Sequence, residues 1–466
     1  MDSNHNGPVG SSSASSQPSE KAVIYRKTKR KNKSTFARGC AWIVDHQIGV
    51  SLALISLLAL VHTTVPDASR HTKKFFELSY YNPQTRKYGK GWDDVFLLCY
   101  WIVIFTGLRV AVMDYILMPF AQMSGINTRK ERVRFAEQAW LILYAGGFWS
   151  LGMYLLTHSD YWLNLRNLWT EWPNRELEGL FKWYYLVQFA FYIQQIIVVN
   201  IEEHRKDYHQ MFTHHVVTCM LFFGSYGYHF TKVGNLILCL MDLGDIILPL
   251  AKTLKYLRFQ TACDMAFVVF LVSWFIARHV FYPMVIWSVI RDLPREIVYA
   301  CYSVQTGQII GPTSATDSIN TLFQPFRDPE GPICFTPQIR WGFLSGLMIL
   351  EGIIILWFIQ IMRLAWKVIS GAGSADDPRS DDENEEEEET EEEEDLDEFD
   401  VKQSAEFDEG ALGPPQEVEV DVTGLNLKGR SSSRRYRKSG AASGVSIPGH
   451  SDRKELLGRI GCDKTT

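Results

Sequence analysis

Apolar residues in this chain come in long blocks rather than in alternation with polar ones. Eight blocks lie at about 42–64, 93–118, 136–157, 181–200, 211–230, 233–251, 263–290 and 340–366. Each is near the ~20 residues a helix needs to cross a bilayer. Residues 1–40 and 370–466 are polar by contrast. The pattern predicts an all-α, polytopic transmembrane helical bundle of about eight spans with disordered polar tails. It divides the chain into a basic tail (1–40), two helices with their loops (41–135), a helical core (136–290), a loop (291–339), a last helix (340–369) and a charged tail (370–466). The fifth and sixth blocks are separated by a very short polar turn, so they are expected as antiparallel neighbours.

Composition alone misleads here. A mean hydropathy of −0.08 would suit a soluble protein, but it averages an apolar middle with two charged ends. The first apolar block starts only near Ala41, too deep and too long for a cleaved leader, so none is expected.

Lysine and arginine in short flanks mark the cytosolic side of a membrane protein. Such residues precede the first block (Lys21 to Arg38) and follow the second (Arg129, Lys130, Arg132, Arg134). They also follow the fourth (Arg205, Lys206), the sixth (Lys252, Lys255, Arg258) and the last (Arg363, Lys367). With eight spans, all five flanks and both tails fall on one side, expected to be cytosolic. The loop between the first two blocks argues the other way, with Arg70, Lys73, Lys74, Arg86, Lys87 and Lys90. It is expected to be lumenal because the other flanks agree with one another. The Asn32-Lys33-Ser34 glycosylation pattern would then be unused.

Asp381 to Glu398 is nearly all acidic and cannot bury a core; a basic cluster follows at Lys428 to Lys438. Ser374 and Ser380 precede the acidic run in a context that suits an acid-directed kinase. The eight cysteines show no zinc-type spacing. Cys99, Cys219, Cys239 and Cys263 are expected as small core residues. Cys301 and Cys334 share one long loop and are either a disulfide, if that loop is lumenal, or two free thiols.

The chemistry concentrates between Glu202 and Tyr256. His214 and His215 lie inside the fifth block, and Asp242 and Asp245 inside the sixth. Ionisable groups at membrane depth are costly, so they point to function with a partner nearby. His214 is seven residues from Asp207, and Asp245 is seven from Lys252, so antiparallel helices bring both to one depth, ~10 Å from the boundary. Asp242 and Asp245 are three residues apart and share a helix face. Adjacent histidines diverge by ~100°, so one can react while the other packs. A neutral imidazole serves as base or nucleophile near neutral pH, and a carboxylate on one ring nitrogen would fix its tautomer. Arg205, Lys206, Lys252, Lys255 and Arg258 crown the cytosolic mouth, where they suit the phosphates of a soluble donor. The topology bias predicts the same cations without any function. Trp183, Tyr184 and Tyr185 are expected to be membrane-interface anchors.

These residues resemble a known signature. Arg205-Lys-Asp207, Met211-Phe-Thr-His214-His215-x-x-Thr218, Asp242-x-x-Asp245 and Lys252 are similar to the ceramide synthase (sphingosine N-acyltransferase) family, whose core is the TLC-type membrane domain. Trp169-Thr-Glu-Trp-Pro173 and Lys182-Trp-Tyr-Tyr-Leu-Val-Gln188 extend the likeness, which runs from about Ala41 to Lys367. It looks like the fungal, longevity-assurance branch: no homeobox-like insert separates the first two blocks, and the tail is acidic.

The resemblance implies acyl transfer from acyl-CoA to the amine of a sphingoid base such as sphinganine or phytosphingosine, in the endoplasmic reticulum membrane. It makes His214, His215, Asp242 and Asp245 the catalytic candidates, with Asp207 and Thr218 in support. Acyl-CoA enters as co-substrate; no cofactor, metal or nucleic acid is expected. A homo- or heterodimer and a small accessory membrane subunit are in keeping with the likeness. The chain ends Cys-Asp-Lys-Thr-Thr, without the dilysine retrieval signal of some fungal relatives, so retention would need another signal. His214 is expected to attack the thioester, with His215 or the aspartates moving protons; direct attack by the amine is the competing route. Two other readings stand beside this one. A membrane di-iron hydroxylase would use His204, His209, His214 and His215, but such sites need several separated clusters. A non-catalytic lipid-binding, sensing or transport protein can share the fold.

Overall fold

The computed structural model describes residues 39, 42–201, 208–303, 307–312 and 318–370. Arg205, Lys206, Asp207, Ser374, Ser380 and the basic and acidic tails lie outside them. Every apolar block becomes a helix: α1 (Gln47–Thr64), α3 (Asp94–Met123), α4 (Arg129–Thr157), α5 (Gly179–Ile201), α6 (Tyr208–Gly227), α7 (Thr231–Tyr256), α8 (Gln260–Glu296) and α10 (Pro337–Ile369). Most extend past their apolar blocks, because a helix continues into the polar boundary after the hydrocarbon ends. Among the described residues, seven of these helices are long and apolar enough to cross a membrane. The eighth, α6, has 20 residues, and its Tyr208-His209-Gln210 start and paired histidines dilute the apolar run.

Helices α3, α5, α6, α10, α8, α7 and α4 pack side by side in that order, and α4 closes the ring on α3. Helix α1 lies outside, against α3, with 6% of its apolar run buried. Two apolar clusters fill the ring. One, around Phe135, Tyr184 and Leu186, joins α3, α4 and α5; the other, around Phe270, Tyr282 and Phe335, joins α8, α10 and the loops. Between helices in lipid, the attraction is close packing and hydrogen bonding rather than escape from water.

Prolines shape the helices that matter. Met113–Leu117 in α3 and Ile276–Phe281 in α8 each form a wider π turn ahead of Pro119 and Pro283. Each proline lacks the N–H its turn requires and crowds the carbonyl four residues back, and the wider turn relieves that clash. The one in α8 carries Arg278 and His279.

One end of the bundle is capped. Helix α2 (Pro66–Phe76), the hairpin β1 (Tyr81–Asn82)–β2 (Lys87–Tyr88), the loop 158–178 and the segment 297–336 interlock there. That segment holds β3 (Ala300–Tyr302), β4 (Ile309–Pro312), α9 (Ser318–Arg327) and β5 (Ile333–Cys334), with the antiparallel strand order β4-β3-β5. Tyr88 and Leu177 exchange backbone hydrogen bonds of 2.9 Å. The guanidinium of Arg175 donates to the carbonyls of Pro329 (2.9 Å) and Gly331 (2.8 Å). Cys301 faces Cys334 across β3 and β5, and their sulfurs are bonded. Closing a loop with a sequence separation of 33 residues restricts the unfolded chain. A Cys301→Ser/Cys334→Ser protein is therefore expected to lose roughly 2–4 kcal/mol, read as a lower Tm without reductant.

Several expectations need correction. Tyr184 and Tyr185 are 0% and 1% exposed, so they are core residues and not interface anchors. The Tyr185 hydroxyl bonds the Ser225 hydroxyl at 2.5 Å, which joins α5 to α6. Cys99 is exposed on α3 rather than packed in a core. The cations between the first two spans are partly neutralised locally: Lys73 meets Glu77 (3.2 Å), Lys74 meets Asp93 (2.8 Å), and Lys90 is tucked under the cap. Counting charges overstated that loop.

Candidate active site

The turn between α6 and α7 sets the depth of the polar groups. His229 adopts φ 61° just after α6, and Phe230 N–H returns to the Ser225 carbonyl at 2.8 Å, a left-handed helix stop. Thr231 then starts α7 in the opposite direction. At 1.5 Å per residue, His214 lies ~20 Å from the turn along α6, and Asp242 and Asp245 lie ~17 and ~21 Å along α7. The depth match expected from the spacing is therefore present in the fold.

The lateral arrangement differs from the expectation. Helix α7 sits between α4 and α8 and packs far less against α6. Asp242, 5% exposed, points to α5, where Gln188 Nε2 donates to one carboxylate oxygen and the Tyr192 hydroxyl to the other, both at 2.9 Å. The Tyr144 hydroxyl from α4 donates to Gln188 in turn. Asp245 points instead to α8 and meets Arg278 at 3.3 Å, while its side chain remains 56% exposed. Arg278 also donates to the Met241 carbonyl at 2.8 Å and lies 3.5 Å above the Trp274 ring. Pro249 has no N–H for the Asp245 carbonyl, so the helix leaves that oxygen without its usual partner.

The two histidines diverge as helical geometry requires. His215 is buried at 7% exposure, with its ring 6.2 Å from that of Tyr192. His214 is half-buried, 5.2 Å from the Trp357 ring of α10. No hydrogen bond joins either imidazole to Asp242 or Asp245 among the described residues, and both Nδ1 atoms are buried without a partner. The expected carboxylate–imidazole contact is replaced by a relay of side chains, His215 against Tyr192 and Tyr192 on Asp242. Removing the relay hydroxyl in Tyr192→Phe withdraws one hydrogen bond from a buried carboxylate. That is expected to cut turnover roughly tenfold or more, with thermal unfolding as the control for folding.

Both histidines head a stripe on α6. Thr218, Leu221, Phe222 and Ser225 follow at helical spacing and line an apolar cavity. Its other walls come from α7, α8 and α10, and Trp169, Phe230, Leu293 and Phe343 close the end nearest the cap. The Thr218 hydroxyl is buried without a partner at the histidine end. Lys252 is half-buried on the last turns of α7, while Lys255 and Arg258 are exposed at the uncapped end. By helical rise they stand ~10–20 Å beyond Asp245.

Sequence reasoning missed Gln188, Tyr192, Arg278, His279 and Glu351. The rule that singled out His214 would have found three of them. Arg278 and His279 interrupt the seventh apolar block, and Glu351 interrupts the eighth. His279 and Glu351 stand 3.4 Å apart.

Known proteins resemble most of the chain. A TLC domain matches residues 134–363. The chain is 43% identical over 355 residues to a sphingosine N-acyltransferase-like protein of Alternaria alternata, covering 76% of this chain and 78% of that relative. It is 37% identical over 330 residues to a sphingosine N-acyltransferase of Schizosaccharomyces pombe, covering 70% and 78%. The chain belongs to the ceramide synthase family. A relative named ceramide synthase from Gibberella moniliformis is 39% identical over 328 residues, covering 70% of this chain and 77% of its own. In this ceramide synthase family member the TLC domain extends through the 297–336 segment into α10, the helix that brings Trp357 to His214.

Proposed function

We propose that the protein transfers a fatty acyl group from acyl-CoA to the amine of a sphingoid base such as sphinganine or phytosphingosine, giving the N-acyl product. One observation carries this reading beyond family membership: an almost wholly apolar cavity runs from Thr218, one helical turn from the histidine pair, towards the cap. An acyl chain fits such a cavity with its thioester at the histidines.

In the proposed route the free ring nitrogen of His214 attacks the thioester carbonyl. The C–S bond breaks, and CoA leaves as a thiolate that takes up a proton. The sphingoid amine then attacks the acyl-imidazole, the new C–N bond forms, the bond to the ring nitrogen breaks, and the amine proton passes to the released imidazole. Tyr192, Gln188 and Arg278 hold the two aspartates at the same depth, close to where charge changes. CoA phosphates are placed at the uncapped end by Lys252, Lys255 and Arg258, with Arg205 and Lys206 outside the described residues. No cofactor beyond the acyl-CoA co-substrate is needed for this route. The same reading sets the capped end in the lumen of the endoplasmic reticulum and both tails in the cytosol.

The direct test is amide formation by purified protein given a sphingoid base and a series of acyl-CoAs. Acyl-CoA binding without turnover, unchanged by added membrane extract, would overturn the assignment in favour of a lipid-binding protein. The aromatic wall nearest the cap also predicts a length limit. Phe343→Ala deepens the cavity, and each added buried methylene is worth about 0.8 kcal/mol. An acyl-CoA two methylenes longer than the best wild-type substrate is thus expected to gain on the order of tenfold in relative kcat/KM.

A further inference from the structure

A second cavity lies on the other side of α6. Phe222 and Ser225 face the acyl cavity, whereas Phe223, Tyr226 and Gly227 face this one, as the helical repeat dictates. It takes nothing from the histidine site, and no step proposed above uses it.

The cavity is amphipathic along its length. Its inner walls are Leu98 of α3 with Leu186 and Phe189 of α5. At its rim Trp92, Val95 and Phe223 are 52%, 42% and 41% exposed, an apolar opening towards the lipid. The end beneath the cap carries charge. Lys90 Nζ donates to the Asn174 carbonyl (3.3 Å) and to His229 Nδ1 (3.0 Å). Both acceptors are uncharged, and an ammonium has a third N–H to give. Beside it, Arg175 spends its terminal nitrogens on Pro329 and Gly331, while its Nε is buried without a partner.

The acids near this cavity answer those cations only from a distance, Asp94 acting on Lys90 and Asp328 and Glu330 on Arg175, with no ion pair to either cation among the described residues. Asp94 is matched to Lys182 (2.6 Å) and accepts from the Tyr226 hydroxyl (2.7 Å) and Gly91 N–H (3.1 Å). Asp328 is exposed and accepts from Glu330 N–H (3.2 Å). Lys90 thus has only uncharged hydrogen-bond partners among the described residues, and the carboxylate that acts on it, Asp94, is paired with Lys182. Burial, and after it the neighbouring Lys182 and Arg175, hold its ammonium well below the usual lysine range. An anionic oxygen placed against it would supply a charged hydrogen-bond partner.

We propose that this cavity binds a single-chain lipid with an anionic head, carboxylate or phosphate, its head on Lys90 and Arg175 and its chain leaving between Val95 and Phe223. The ligand enters sideways from the leaflet at the capped end, independently of acyl transfer.

The test is photolabelling of the full-length protein in lipid nanodiscs with three diazirine probes of one chain length: a fatty acid, a lysophosphatidic acid and the neutral fatty alcohol. Adducts are mapped by peptide mass spectrometry, a readout that needs no turnover. The anionic probes should label the Trp92–Leu98 and Phe223–Gly227 peptides. Lys90→Met should weaken this roughly tenfold, the loss of one charge-assisted hydrogen bond. Val95→Trp, which plugs the exposed mouth and leaves the charges intact, should remove labelling by every probe. Labelling by the fatty acid alone, or by the phosphate probe alone, would identify the head. Equal labelling by the alcohol, adducts confined to the acyl cavity, or labelling indifferent to both variants would overturn the proposal.

Discussion

His214→Ala is expected to abolish amide formation, lowering turnover by at least ~10²-fold, the lower end of what a positioned acid–base group contributes. The effect should be on kcat, because the apolar cavity that would hold the chain is untouched. His214 is the half-buried member of the pair, held against Trp357 and at the head of the cavity stripe. Its Nδ1 has no partner, so the ring is not committed to a structural hydrogen bond through that atom. Incubating wild type and variant with acyl-CoA alone, without sphingoid base, separates the two chemical routes. Acyl-histidine on the wild-type peptide supports covalent transfer, whereas its absence, with turnover intact once base is added, favours direct attack by the amine. A variant that keeps more than a tenth of the wild-type rate would remove His214 from the chemistry altogether.

The largest loss of stability is expected at Lys182. Its side chain is 0% exposed, with Nζ 2.6 Å from Asp94 Oδ1 and donating to the carbonyls of Gly89 (2.7 Å) and Ser79 (3.0 Å). One ammonium thus ties the start of α5 to the start of α3 and to both ends of the hairpin that precedes α3. Lys182→Met leaves the Asp94 carboxylate buried without its counter-charge, which typically costs about 3–5 kcal/mol. The double variant Lys182→Met/Asp94→Leu removes both charges and is expected to recover much of that loss. Thermal unfolding in detergent, compared across both single variants and the double, measures the coupling. Simple additivity of the two single effects would show that the pair is not a unit.

Both residues stand in runs that sequence reading used for other purposes. Lys182 entered only as part of a family-like string, and Asp94 as the edge of an apolar block. Nothing in their local patterns says that they meet, because 88 positions separate them and the loops between determine the register. The same holds for the site. The paired histidines and the Asp-x-x-Asp spacing were legible because charge at membrane depth is rare and costly. Their equal depth followed from a short turn and a fixed helical rise. Arg278 interrupts the seventh apolar block and was legible by the same rule, but nothing local says that it meets Asp245.

What the sequence by itself determined is the set of spanning helices, their order and the depth of their polar residues. Those properties depend on apolar length and on 1.5 Å per residue, which are local quantities. The family follows as well, since its signature is a string of residue types. What only the tertiary structure decided is which groups touch. The seating of α7 between α4 and α8 turns Asp242 towards Tyr192 and Gln188, and Asp245 towards Arg278, rather than either to a histidine. The burial of Tyr184 and Tyr185, the two cavities on opposite sides of α6 and the uncharged partners of Lys90 have the same origin. Each depends on the rotation of a helix about its own axis, and in a bilayer that rotation is set by packing against its neighbours.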